Sequence, residues 1–312
     1  DGSTAWCSMV ASTSSLLGAF LPEADAQLVF DDGRGIAGGV FAPRGRARRS
    51  EDGFTVTGRW SFMSGVGHCS WVMGGCLVEG PDGPETLAGG APDVRLMLMP
   101  AEHVEVIDTW SVAGLRGTGS HDVEVSAEHV PLERGVSLFS DRPRHDGSLY
   151  AFPLFGLLAV GIAAVALGVA RGALDELLAV AVAKTPSGAA RPLAARATVQ
   201  ASLAQAEASL RGARALLLAE SAAAEAEARH GKISTGARVG LRLAATHATS
   251  VAAEVTTQMY RAGGGSAIYE SSPLQRRFRD ANVATQHMMV APATWELTGR
   301  LLFGLETDTA QL

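Results

Sequence analysis

From Leu149 to Ala170 the chain runs 22 residues without a charge, long enough to span a bilayer as a helix on length alone. Pro153, Gly156, Gly161 and Gly168 interrupt the run, and much of the rest is Ala rather than Leu or Ile. It has no polybasic flank and continues directly into Arg171-Gly-Ala-Leu-Asp175-Glu176. A membrane span would be flanked by orienting positive charge and anchored by bulkier side chains. The reading that fits is a helix at the centre of a bundle, buried on all sides.

Composition changes close to this run. Residues 1–150 hold 22 of the 36 Gly and 8 of the 13 Pro, with 20 acidic against 11 basic residues. Residues 151–312 hold 12 acidic and 15 basic residues, and about 30% of residues 151–260 are Ala. A turn-rich half is therefore followed by a helical one. In the first half, Phe54–Thr57, Ser70–Met73, Val94–Met99, Val104–Ile107 and Asp122–Val125 are short β-type runs separated by turn signals, which predicts an antiparallel sheet rather than βαβ units. Residues 3–20 predict a helix before it. In the second half the expected helices cover about 192–230, 233–261 and 273–290, and a short one passes through Trp295 and Leu302. Ser272-Pro273-Leu-Gln275 has the form of an N-cap, a first-position proline and a capping box.

The net charge of −6 and pI of about 5.8 exclude a general nucleic-acid binder, which needs clustered Lys and Arg. The basic run Arg44, Arg46, Arg48, Arg49 reads as a solvated loop. Cys7, Cys69 and Cys76 are an odd count without CxxC or paired Cys/His spacing, so the sequence offers neither a disulfide framework nor a metal site, and a cytoplasmic setting fits. The chain opens at Asp1 without a signal-peptide pattern, and its first residues read as the interior of a longer element. Gly33-Arg-Gly35-Ile-Ala-Gly38 matches GxGxxG, but Gly39-Val-Phe-Ala-Pro43 cannot open the helix whose N-terminus would hold a pyrophosphate. There is no GxxxxGK[ST], HExxH or GxSxG.

The more specific signal is Gly53-Phe-Thr-Val-Thr-Gly58-Arg-Trp60-Ser-Phe62-Met-Ser64-Gly65-Val-Gly-His68. Here a strand breaks at Ser64-Gly65 beside an aromatic wall, which makes a cradle for a flat ring. Glycine admits close approach to the main chain, and the Ser64 hydroxyl can donate or accept.

Together with three further stretches, this motif resembles the acyl-CoA dehydrogenase superfamily and, within it, the flavin-dependent two-component monooxygenases that act on p-hydroxyphenylacetate, dibenzothiophene and polyketides. The stretches are Asp1-Gly-Ser-Thr-Ala-Trp6, Trp110-Ser-Val-Ala-Gly-Leu-Arg116-Gly-Thr118-Gly-Ser120, and Ser271-Ser-Pro-Leu-Gln275-Arg-Arg-Phe-Arg279-Asp280 followed by Gln286-His287. The resemblance spans essentially the whole chain. It implies an α+β fold: residues 1–29 as a remnant of an N-terminal helical domain that is otherwise missing, residues 30–148 as a barrel-like antiparallel, flavin-binding β domain, and residues 149–312 as a four-helix bundle that assembles a homotetramer.

What it implies for chemistry turns on one segment. Many acyl-CoA dehydrogenases carry Glu-Gly-Thr after the Arg-Asp pair, where this chain has Thr285-Gln286-His287-Met288-Met289. The oxygenase branch therefore fits better. Reduced FMN or FAD, delivered by a separate NAD(P)H:flavin reductase, would react with O₂ through a C4a-hydroperoxyflavin and hydroxylate an aromatic substrate, polyketide-derived ones included. By the same resemblance Ser64 would bond near flavin N5. His287 would face the peroxide, either stabilising it or deprotonating a phenol with a pKa near neutrality. Phe62, Met63, Gly65, Trp110, Gly39 and Phe41 would line the flavin. Gln258 with Gly263, Gly264 and Gly265 would approach its phosphate or adenosine end from a neighbouring subunit, and His68 would contact substrate. A helical projection puts Arg276, Asp280, Val283 and His287 on one face. Two rival readings stay open: an acyl-CoA dehydrogenase with bound FAD whose base is Asp175, Glu176 or Glu254, and a flavin-free oligomeric scaffold.

Overall fold

The computed structural model describes every residue except 31–33 and 139, so Gly33 of the GxGxxG run lies outside the described residues. The chain forms two compact units. One comprises Trp6–Ser111 and Arg116–Asp146, and the other Asp1–Ala5, Val112–Leu115 and Gly147–Leu312.

The first unit opens with most of helix α1 (Gly2–Ser14), a 3-10 turn over Ser15–Ala19, and α2 (Glu23–Phe30). Among the described residues eight strands follow: β1 (Ala37–Arg49), β2 (Gly53–Met63), β3 (Trp71–Gly80), β4 (Gly83–Pro84), β5 (Val94–Pro100), β6 (Glu105–Ile107), β7 (His121–Pro131) and β8 (Gly135–Val136). They form a sheet in the order β6-β7-β2-β1-β3-β5-β8, with β4 folded back on the end of β3. Two features correct the expectation of an antiparallel, barrel-like sheet. The β1–β3 pair is parallel, and β6 and β8 remain separate edges, so the sheet is mixed and open.

The basic run Arg44–Arg49 is likewise not a loop but the second half of β1. Arg46 pairs with Glu79 on β3, and Arg49 with Glu85 and Asp93, which lie just after β4 and just before β5. The stretch pairs with β2 across a short hairpin, Arg46 opposite Thr57 and Arg49 opposite Phe54, while the acids that hold its arginines lie more than thirty residues away and leave no mark on its own pattern.

Both faces of the sheet centre are buried. Along β3 and β5, Val72, Cys76, Val78, Met97 and Met99 enter one cluster with Phe54, Val56 and Trp60. The alternate residues Trp71, Met73, Leu96 and Leu98 enter another with Leu17, Leu21 and Val29 from the helical entry segment. Burial on both sides explains the continuous apolar run of β3. Trp60 is the largest fully buried side chain of this unit. Its indole N–H donates to the Gly75 carbonyl at 2.8 Å, and its ring fills the space where side chains at Gly45, Gly58 and Gly74 would stand.

The second unit is helical: α3 (Leu154–Ala183), α4 (Ala197–Ala228), α5 (Thr235–Gly263), α6 (Pro273–Ala284) and α7 (Ala293–Leu302). α3, which contains most of the uncharged run, packs against α5, α6 and α4, and about half of its most apolar stretch is buried there. α6 is shorter than the sequence pattern implies. It ends at Ala284, so His287 sits in the turn that follows and shares no helical face with Arg276 and Asp280. The capping box is absent too: Gln275 donates to the Glu270 carbonyl at 3.2 Å instead.

The glycine seat of Trp60 yields a test by urea denaturation. A Cβ at Gly74 would lie 2.4 Å from the indole, so Gly74→Ala should cost about 1–3 kcal/mol by overpacking. Gly67→Ala, where a Cβ meets nothing within 4 Å, should leave the midpoint unchanged.

Candidate active site

Within the sheet unit the site grows out of an irregularity at the end of β2. Phe54, Val56 and Trp60 point into the core, and strict alternation would bury Phe62 as well. The β2–β7 register instead slips between Trp60 and Met63. Phe62 takes a left-handed conformation, φ +69, and is 71% exposed while Met63 is buried. A bulky residue at positive φ is strained. The strain presents an aromatic ring outside the core, where it meets Trp110 edge-on with ring centroids 6.1 Å apart.

Beyond the slip, Gly65 also adopts a left-handed conformation, φ +76, and its N–H donates to the Thr118 carbonyl at 2.8 Å. Ser64 is thereby fixed between the two strands. Its Oγ accepts the Trp6 indole N–H at 3.2 Å and lies 2.8 Å from Ser120 Oγ, which in turn is 2.7 Å from Thr118 Oγ1. Trp110 is held from beneath by the start of β7. The Thr109 and Trp110 amides both point at His121 Nδ1 at 3.3 Å, and Thr109 Oγ1 donates to Asp122 at 3.1 Å.

The structure thus brings Phe62, Ser64, Gly65 and Trp110 together. Trp6, Thr118 and Ser120, which lie in the stretches that carry the resemblance, support Ser64, and His121, which the sequence did not single out, supports Trp110. Trp6 and Ser64 are 58 residues apart, a separation that no local pattern signals. Gly39 and Phe41 also take part in packing within the sheet unit. A Cβ at Gly39 would strike Met73, so glycine there serves strand packing. Phe41 packs against the buried cluster beneath the helical entry segment. His68 is exposed at the end of a 3-10 turn.

In the helical unit, His287 is half-buried in the turn after α6. The Met289 N–H donates to His287 Nδ1 at 3.2 Å, so in the neutral ring the proton resides on Nε2. Burial, helped by the nearby Arg242 charge, pushes its pKa down to about 4. A base poised near neutrality is not what the structure provides. The ring is a neutral hydrogen-bond donor across the physiological range.

At the far end of α5, the Gln258 side-chain oxygen is buried without a hydrogen-bond partner. Lys184 donates to the Gly263 carbonyl at 2.6 Å and also bonds Ser266. Gly264, at φ +65, ends the helix and is exposed, as is Gly265. The unpaired amide oxygen can accept from a ligand's hydroxyl or amino group, as on an adenosine, and the exposed glycine turn admits close approach of a ligand to the main chain. The candidate dehydrogenase bases are committed or remote: Glu176 accepts two bonds from Arg277, Asp175 pairs with Arg171, and Glu254 is exposed.

Residues 160–292 match the family described as acyl-CoA dehydrogenase, C-terminal domain. The chain is 33% identical over 307 residues to indole-3-acetate monooxygenase of Pseudomonas putida, covering 97% of this chain and 76% of that protein. It is 28% identical to the oxygenase component of the FADH₂-dependent resorcinol hydroxylase of Rhizobium sp., covering 97% of this chain and 78% of that one. XiaF from Streptomyces sp., solved with FADH₂ and glycerol, superposes with a TM-score of 0.86 at 27% identity, over 99% of this chain and 79% of XiaF. The chain belongs to the flavin-dependent monooxygenases, the oxygenase components built on the acyl-CoA dehydrogenase fold.

The lowered His287 pKa has a direction that stability measurements can read. The unfolded chain takes up this proton near pH 6.5 and the folded chain only near 4, so acid favours unfolding. The contribution is complete above about pH 6.5, declines as pH falls through about 4 and is flat below, amounting to about 2–3 kcal/mol. Urea titrations at about pH 7 and pH 4.5 should therefore show His287→Gln losing less stability on acidification than the wild type.

Proposed function

We propose that the chain hydroxylates a small aromatic substrate, using reduced FMN or FAD delivered by a separate NAD(P)H:flavin reductase. The observation that supports this reading is the edge-to-face Phe62–Trp110 pair standing beside the Ser64 hydroxyl chain, an aromatic corner with a polar atom next to it. The bound flavin would activate O₂ and deliver one oxygen atom to the substrate.

Around it the chain's own residues bind, orient and shield. Phe62 and Trp110 would flank the ring system and exclude water, while Gln258 and Gly263–Gly265 of a neighbouring copy would approach the phosphate or adenosine end. Ser64 would bond the central ring nitrogen, and its neighbours can serve either state of that atom. With Ser120 donating to Ser64, the Ser64 proton is left for an acceptor. With Ser64 donating to Ser120, a lone pair is left for an N–H.

His287 would act as a donor from Nε2, stabilising negative charge that develops on oxygen rather than removing a proton. The substrate class rests on the relatives, whose names specify indole-3-acetate and resorcinol. Assembly as a homotetramer through the bundle is part of the proposal. It is supported by Val182, Ile268, Tyr269, Leu302 and Phe303, which expose between 65% and 85% of their surface. A cytoplasmic setting, with a diffusible flavin, completes it.

The test is to mix the protein anaerobically with reduced FMN or FAD, admit O₂, and follow both the spectrum and the products. Wild type should delay the appearance of oxidised flavin and convert an added phenol or indole. Ser64→Ala and His287→Ala should each shorten the delay by about tenfold or more and divert O₂ to hydrogen peroxide. Bleaching of tightly bound oxidised FAD by an acyl-CoA would overturn the proposal, and so would a lack of flavin affinity in every redox state. Because His287 stays neutral, activity should show no acid limb from this residue until about pH 5.

A further inference from the structure

Arg242 is 2% exposed, and among the described residues no carboxylate pairs with it. Its Nη1 reaches the Phe155 carbonyl at 3.3 Å and the Met289 sulfur at 3.2 Å, and its Nη2 lies 3.5 Å from Thr294 Oγ1. Its Nε is buried without a partner, and burial alone lowers its pKa to about 10. A guanidinium held this way is expensive. Replacing a buried charge by an apolar side chain of similar volume is often neutral or stabilising, so the fold has no energetic need for a cation at this place. The three contacts nevertheless share a geometry. They come from the first turn of α3, from the turn between α6 and α7, and from the first turn of α7, and the middle one is Met289, whose backbone N–H fixes the His287 ring.

We infer that Arg242 is a positioning residue for His287: its fork holds the 285–290 turn against α3 and α7 through Met289, so that the Met289 N–H keeps the neutral imidazole in the Nε2–H form, and its charge opposes protonation of the ring. This rests on the role proposed above for His287.

Most of the other charged groups on the elements around the turn are paired elsewhere or exposed, while the Arg279 Nε is buried without a partner. On α6, Asp280 accepts the Leu115 N–H, Arg276 pairs with Asp1 and Arg277 with Glu176, while Arg279 is half-buried. On α7, Arg300 bonds the Glu306 carbonyl and Glu296 is exposed. On α5, Arg238 bonds the carbonyls of Thr309 and Leu312. The charges of α3 begin at Arg171, sixteen residues or about 24 Å along the helix from Phe155.

The experiment uses the full chain with ring-labelled histidine, the His287 signals being assigned by their loss in His287→Gln. NMR titration should give a wild-type midpoint near 4 and nitrogen shifts of the Nε2–H tautomer. In Arg242→Met the midpoint should rise by about one unit and the tautomer preference should weaken, while the urea midpoint stays equal or rises. Arg242→Lys, which keeps the charge but loses the fork, should retain the low midpoint and lose the tautomer preference. In both variants the fraction of consumed O₂ recovered as hydroxylated product should fall by about tenfold.

Folded Arg242→Met with unchanged His287 titration and tautomer would overturn the inference. A Met variant that is strongly destabilised or unfolded would also overturn it, because Arg242 would then be a structural residue. The titration needs no flavin turnover, so its outcome is independent of whether the hydroxylase reading holds.

Discussion

The packing of Trp60 against backbone governs the sheet unit. Its indole occupies the volume that three glycines on β1, β2 and β3 leave empty, and its N–H ties β2 to the Gly75 carbonyl. With position 60 pinned inward, the slip that follows can only turn Phe62 outward, and the strand then breaks at Ser64. The ring surface of the site is thus a by-product of a core contact two residues upstream. Burying a side chain as large as Trp yields several kcal/mol, enough to offset the roughly 1–3 kcal/mol of strain at Phe62.

Much of this was legible beforehand because it is local. The strands at Phe54, Ser70, Val94, Val104 and Asp122 and the long Ala-rich helices each have a periodicity or turn signal of their own, and the Ser64-Gly65 break is written in its residues. What stayed hidden depends on partners far along the chain. β1 was invisible because its glycines and arginines make sense only beside Met73, Trp60, Glu79 and Glu85. Its parallel pairing with β3 has no sequence mark either. α6 stops at Ala284 although Thr285–Val290 would continue the pattern, since Met289 and Val290 are buried in a turn rather than on a helical face.

The site divides the same way. Ser64 and His287 stood out through resemblance, but the chemistry of each is set by neighbours to which the resemblance assigned no role. Ser64 owes its place to Trp6, Thr118 and Ser120. His287 owes its protonation to burial and to Arg242, a residue that reads in sequence as one more charge on an amphipathic helix. A histidine expected to titrate near neutrality is held neutral chiefly by its burial, with the Arg242 charge adding to the effect.

The segment Val112–Leu115 belongs to the helical unit although it lies in sequence between β6 and β7. Leu115 sits at φ +53 and gives its N–H to the buried Asp280 at 2.6 Å, across 165 residues. Gly114 lies so close to the α6 backbone at Arg279 that a Cβ would be 2.4 Å from its carbonyl oxygen. Contacts spanning such a separation form only after a large loop has closed. During synthesis β6 and β7 emerge long before α6, so the chain between them waits unanchored for its partner. Its order is therefore a property of the finished bundle, and hydrogen exchange at the Leu115 amide should follow that of α6 rather than that of the strands on either side.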